Sequence, residues 1–202
     1  MAIVDAFGNR CDRALRVHFR KIHRVEFDVL AFIKHTQEIF GKYNIVLQLG
    51  SLQSVHMDKP SHARLAVLDA AHTANKSSAE QTELYERFGV NDLASVTAFL
   101  VHEIGRPANA PAPANYEIAG VASHLPHRPA LFLARSVKPT TIAHELGHIL
   151  MEAQAGDHHT EGMKDVMRSG LNGANNWYIA DSPQFTAQQL LQMRRSPLLR
   201  VC

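Results

Sequence analysis

The chain has 202 residues, 46% of them hydrophobic and 20% charged, a make-up that excludes disorder and fibre and fits one globular domain with length enough for a real core. Lys and Arg number 21 against 19 acidic residues, a net charge of +2, too weak a field to recruit nucleic acid or an anionic membrane surface. No apolar run reaches the roughly 18 residues of a membrane span, and the opening MAIVDAFGNRCDR lacks the basic start and apolar stretch of a signal peptide.

In chain order, 14–22 reads as a strand, and 25–40 has the apolar spacing of a packed helix, closed by Gly41. A second strand over 44–55 completes a strand, helix, strand unit with a parallel pair. The stretch 61–88 reads as two short helices, the second opened by the capping pair Ser78 and Gln81 and closed by Gly89. A third strand, 95–104, is largely apolar, as a central strand would be. The three prolines of GRPANAPAPAN (105–115) forbid regular structure there. A fourth strand covers 128–135. Pro139 then opens a helix that Gly156 closes, and a last helix begins at the capping pair Thr186 and Gln189. Arg194, Arg195 and Arg200 near its end read as a solvated face. Cys11 and Cys202 form one bridge only if the termini meet.

Histidine is the outlier at 13 residues. Two of them, His144 and His148, stand four apart in HELGH, so both rings lie on one helical face and reach one Zn²⁺, while Glu145 between them reaches a water on the metal. The metal acidifies that water and the carboxylate takes its proton as it attacks a carbonyl, which is peptide hydrolysis without a covalent intermediate. Composition alone gives roughly 0.04 chance matches to this pattern. On the helical wheel Ile142, Leu146, Ile149, Leu150 and Ala153 share one arc, and the histidines face away from it.

With these residues the chain resembles the zincin metallopeptidases, and within them the metzincins, which extend the motif to HExxHxxGxxH and place a methionine turn beneath the metal. The second half of the motif departs here: Met151 stands where the helix-ending glycine would be and Gln154 where the third histidine would be. Downstream, HTEGMKDVM (159–167) is similar to the family's stretch from third ligand to methionine turn. The resemblance implies a five-residue insertion that carries the helix to Ala155, His159 as third ligand, and Met167 as a packing residue under the site. Ser169 stands where the family has a tyrosine, which leaves Tyr178 as a candidate to assist an oxyanion.

Reach favours His159 without excluding its neighbour. The helix carries the chain about 10 Å past His148, a gap that four extended residues span more easily than three, so His158 stays open. Glu161 or Asp165 is the alternative if the third ligand is a carboxylate. Glu152 lies about 12 Å of helix from His144, too far to share its ion, and an amide such as Gln154 is a poor donor beside imidazole. His124 and His127 read as loop histidines, and His102 as a hydrogen-bonded core residue. Nothing around Cys11 supports a zinc-capping latency switch.

The expected fold class is therefore α+β, zincin- or metzincin-like: a mixed twisted sheet, a zinc-binding helix and a small C-terminal helical part. It forms one domain over 1–202, split by a cleft near residue 155 into parts of about 1–155 and 156–202. The expected function is zinc-dependent endopeptidase, with Zn²⁺ held by His144, His148 and His159, Glu145 as general base then acid, and Met167 as floor. Its partner is a peptide or protein substrate, with no nucleic acid, no membrane and no second subunit. Substrate is expected as an added strand along Leu131, Phe132, Leu133 and Ala134, just before the zinc helix. The alternatives are a zincin with a carboxylate third ligand, acting on short peptides, and a zinc-stabilised binding protein without turnover. An intact Glu145 counts against the latter, since a structural zinc site needs no base. The lack of a signal peptide points to the cytoplasm, to export by another route or to a longer precursor.

Overall fold

β1 (Arg13–Ile22) alternates Leu15, Val17 and Phe19 with Arg16, His18 and Arg20, so one face is apolar and the other polar. It pairs in parallel with β2 (Ile45–Val55) across α1 (Val29–Gly41), the unit expected from the sequence. The computed structural model describes residues 11–22, 26–69, 77–105, 118–125, 128–151, 166–167 and 184–202. The helix α1 starts later than its apolar spacing suggests, because the Asp28 carboxylate accepts the Ala31 N–H at 3.0 Å and acts as N-cap. After Gly41 the chain turns through Asn44, whose φ of 59° is the left-handed geometry that asparagine tolerates. Val17 pairs with Leu49 and His18 with Ser51, which leaves Gly50 as the extra residue of a bulge. A β-carbon there would overlap the His18 ring.

The two short helices expected next are α2 (Lys59–Leu65) and α3 (Ala79–Phe88). Ser78 and Gln81 close a reciprocal capping box on α3, and Gly89 caps its end. β3 (Val67–Asp69), which the sequence did not announce, lies between them and pairs in parallel with β5 (Glu103–Gly105). β4 (Ser95–Val101) is buried along its length and lies between β1 and β7 (Arg128–Ala134), the central place its apolar character implied. It stops at Val101 rather than 104 because the His102 and Glu103 N–H groups both donate to the Ala66 carbonyl, at 3.0 and 3.2 Å. Those bonds draw the chain toward β3. His102, expected in the core, sits at this departure, half-buried and edge-on to His62.

β6 (Gly120–Leu125) runs antiparallel to β7 and, among the described residues, ends the main sheet, whose order is β2-β1-β4-β7-β6. His124, expected in a loop, belongs to this strand. The proline-rich stretch from 106 and His127 lie outside the described residues. α4 (Pro139–Leu150) has Pro139 in its first turn, where a missing N–H costs nothing. It ends at Leu150, with the Met151 N–H capping back onto the Gly147 carbonyl at 3.0 Å, rather than running to 155. α5 (Ala187–Met193) carries the expected Thr186 and Gln189 capping box. β8 (Arg200–Val201) then returns to pair with Arg13 and Ala14, and Cys202 is disulfide-bonded to Cys11, with Cα atoms 5.9 Å apart.

One face of the sheet packs Leu15, Val17, Leu131 and Leu133 against α1 and α4, and the other packs Phe99 and Phe132 against α2 and α3. Each fully buried side chain of this size stabilises by about 1.5–3 kcal/mol. The sandwiching fixes α4 against the sheet and thereby aims its motif. No helix among the described residues is long and apolar enough to cross a membrane.

Candidate metal centre

The inner side of α4 is set by Ile142, Ala143, Leu146, Ile149 and Leu150, each at most 2% exposed. Its other side is not open to water either. His144 is 6% and Glu145 7% exposed, so both belong to a shielded site, and His148 is half-buried beside them.

The two rings meet edge to face with centroids 4.7 Å apart, and their Nε2 atoms approach to 3.1 Å. His144 Nδ1 lies 2.8 Å from the Val166 carbonyl. A carbonyl only accepts, so Nδ1 carries the proton and Nε2 presents a lone pair toward His148. Two nitrogens each about 2.05 Å from a tetrahedral ion stand about 3.3 Å apart. With the lone pair on His144 Nε2, the 3.1 Å contact is a hydrogen bond donated by His148 Nε2–H, and its length is close to the separation of two zinc-ligating nitrogens, one of them already oriented by an outer hydrogen bond. Among the described residues no third His, Cys, Asp or Glu joins them. His159, His158, Gln154, Glu152, Glu161, Asp165 and Tyr178 lie outside the described residues.

Met167 is fully buried, one residue beyond the Val166 carbonyl that orients His144. A β-carbon on Gly147 would stand 2.5 Å from Met167 Sδ, 3.2 Å from Phe185 Cε1 and 3.4 Å from Met193 Cε. Met167 thus packs directly against the backbone of α4 between the two histidines, with Phe185 and Met193 alongside. Phe185 is fixed in turn by its N–H, which donates to the Tyr43 hydroxyl at 2.9 Å. Sequence reasoning placed Met167 under the site and missed its three neighbours. A signal for Gly147 was present, because a helix-interior glycine costs up to about 1 kcal/mol relative to alanine and so implies a packing reason.

Leu131, Phe132, Leu133 and Ala134 are not a docking edge. Leu131 to Ala134 pair with β4 on one side and Leu131 to Leu133 with β6 on the other, and all four are buried. Their ladder groups are used on both sides, which leaves none for an added peptide. Among the described residues the strand that ends the sheet beside α4 is β6, whose Gly120 comes against Thr141 and Glu145.

No family model matches the chain, and no curated protein matches it. Among solved structures its fold is similar to that of metalloproteinase-II from Bacteroides fragilis, with a TM-score of 0.50 at 16% identity. That match takes in 91% of this chain and 53% of the other, so the chain spans about half the length of the protein it resembles. The likeness is one of fold: a mixed α/β architecture.

Proposed function

We propose that the chain is a metzincin-like zincin, a zinc-dependent endopeptidase acting on peptide or protein substrates through a single domain divided near residue 155. The observation that carries this reading is the convergence of His144 and His148 Nε2 at 3.1 Å, with His144 locked in the ligating tautomer by the Val166 carbonyl. A bound zinc ion supplies Lewis acidity that lowers the pKa of water and polarises a carbonyl. His144 and His148 would hold it from α4, with His159 as the third ligand. Glu145, on the same helix and shielded from solvent, accepts a proton from the attacking water and returns it to the departing amine. Met167 fills the space beneath the helix and fixes Val166, and through Val166 the His144 ring.

Substrate lies along β6 rather than β7. An extended peptide added to the terminal strand of a sheet is held by main-chain hydrogen bonds, and β6 runs beside the carboxylate of Glu145. The test is metal analysis of the purified protein together with a quenched-fluorescence peptide library, with and without a chelator. One zinc per chain and chelator-sensitive internal cleavage support the reading. Zinc without cleavage overturns the enzymatic part of it, and no zinc overturns all of it.

A further inference from the structure

The gap between β6 and α4 is unusually small at one position. An ideal β-carbon on Gly120 would lie 2.9 Å from Thr141 Cγ2, 3.0 Å from Glu145 Cγ and 3.3 Å from Glu145 Oε1. Carbon atoms in ordinary contact stand about 3.5–4.0 Å apart, so the Thr141 methyl and the Glu145 side chain together occupy the space that any other residue at 120 would need. Neither side can easily retreat. Gly120 pairs with Leu133, and the Ala134 N–H donates to the Ala119 carbonyl at 2.9 Å, which ties this end of β6 to a buried interior strand. Opposite it, α4 is seated on the sheet by Ile142, Leu146 and Ile149. Between two fixed backbones, what must give is the Thr141 side chain or the Glu145 arm.

We propose that Gly120 is a positioning residue for Glu145. Its missing side chain lets the sheet edge close onto α4 and confines the carboxylate to one place in the gap. The proposal rests on the reading of Glu145 as general base for its kinetic consequence, and on the packing alone for its structural one. An added methyl displaces the arm by a few tenths of an ångström or forces another rotamer, and misplacement on the ångström scale costs up to about 10²-fold in rate.

The experiment compares wild type, Gly120→Ala, Thr141→Ser and the double variant. Steady-state kinetics and unfolding temperature are measured on the zinc-loaded protein, and carbon-13 chemical shifts of the Glu145 side chain on the metal-free protein at one fixed pH. For Gly120→Ala the expected result is a roughly 10- to 100-fold fall in kcat with KM little changed and zinc content kept. Thr141→Ser removes the nearer contact, so the double variant should regain unfolding temperature while kcat stays low. In metal-free wild type, a nuclear Overhauser contact between the Gly120 α-protons and the Glu145 γ-protons is expected, and the Glu145 carboxyl shift should move in Gly120→Ala. Wild-type kcat in Gly120→Ala, or recovery of kcat together with stability in the double variant, overturns the proposal. If the wild type cleaves nothing, the peptidase reading fails by itself. The spectra still decide the positioning role, which falls if the Overhauser contact is missing or the carboxyl shift stays put.

Discussion

Replacing Gly147 by alanine opposes two effects of known size. In an exposed helix interior alanine is favoured over glycine by about 0.8–1 kcal/mol. Here the new β-carbon would meet Met167 Sδ at 2.5 Å and Phe185 Cε1 at 3.2 Å, and overpacking of this kind in a filled core costs about 1–3 kcal/mol. Met167 is 0% exposed and Phe185 stands beside it, so the steric effect outweighs the propensity gain and Gly147→Ala should destabilise by about 0–2 kcal/mol. For a domain of this length each kcal/mol lowers the unfolding temperature by about 2–4 °C. Met167→Ala alone leaves a cavity and should cost about 2–5 kcal/mol. In the double variant the alanine methyl at 147 enters that cavity, so the two costs should fall short of additivity by about 1–3 kcal/mol. Because displaced Met167 drags Val166 and its bond to His144, zinc affinity should fall in Gly147→Ala and recover in part in the double variant. Urea unfolding of the metal-free proteins and zinc titration measure the two quantities. Costs that add within about 0.5 kcal/mol, with zinc affinity unchanged in Gly147→Ala, would refute the packing of Met167 beneath the motif.

Single His→Ala substitutions at 158 and 159 should separate the third ligand, with a large loss of zinc affinity at 159 and little at 158; the reverse order would show the alignment with the methionine turn to be wrong. Reducing or replacing the Cys11–Cys202 bridge, whose partners are 191 residues apart, should destabilise by about 5 kcal/mol on chain-entropy grounds, and an unchanged urea midpoint in Cys11→Ser/Cys202→Ser would contradict it. Burial lowers the His18 pKa below its ordinary 6.5, with Arg20 and Arg16 adding to the shift and Asp92 opposing it. The unfolded chain therefore binds the proton more readily, and stability should fall as the pH drops through about 6.5. His18→Asn should flatten that fall in urea unfolding at pH 5 to 7, and an unaltered slope would discard this assignment.

Periodicity and capping revealed much of the scaffold. The parallel β1 and β2 pair, the central β4 and the two capping boxes all follow from local patterns that the tertiary structure keeps. β6 did not, because GVASHL has no alternation and owes its strand geometry to the edge of β7. β3 and β5 are three residues each and exist through one another, a long-range pairing that no local window contains. Leu131 to Ala134 offer no edge for the same reason: β6, which no local pattern marks, pairs along β7. At the candidate site, the meeting of His144 and His148 on one helix was legible because a four-residue helical spacing is itself geometry. The contacts of the Val166 carbonyl, Gly120, Phe185 and Met193 were not, since each depends on where the fold carries the residue rather than on its type. His102 shows the opposite case, a histidine in an apolar run that the fold leaves half-buried at a strand end.

The central claim, metal-assisted peptide hydrolysis with Glu145 as the proton carrier, is tested most directly by measuring zinc content and peptide cleavage side by side for wild type and Glu145→Ala. The account predicts one zinc in each protein and a fall in cleavage of about 10²- to 10⁴-fold or more in the variant. Equal cleavage by the two proteins, or purified wild type that takes up no zinc, would contradict it.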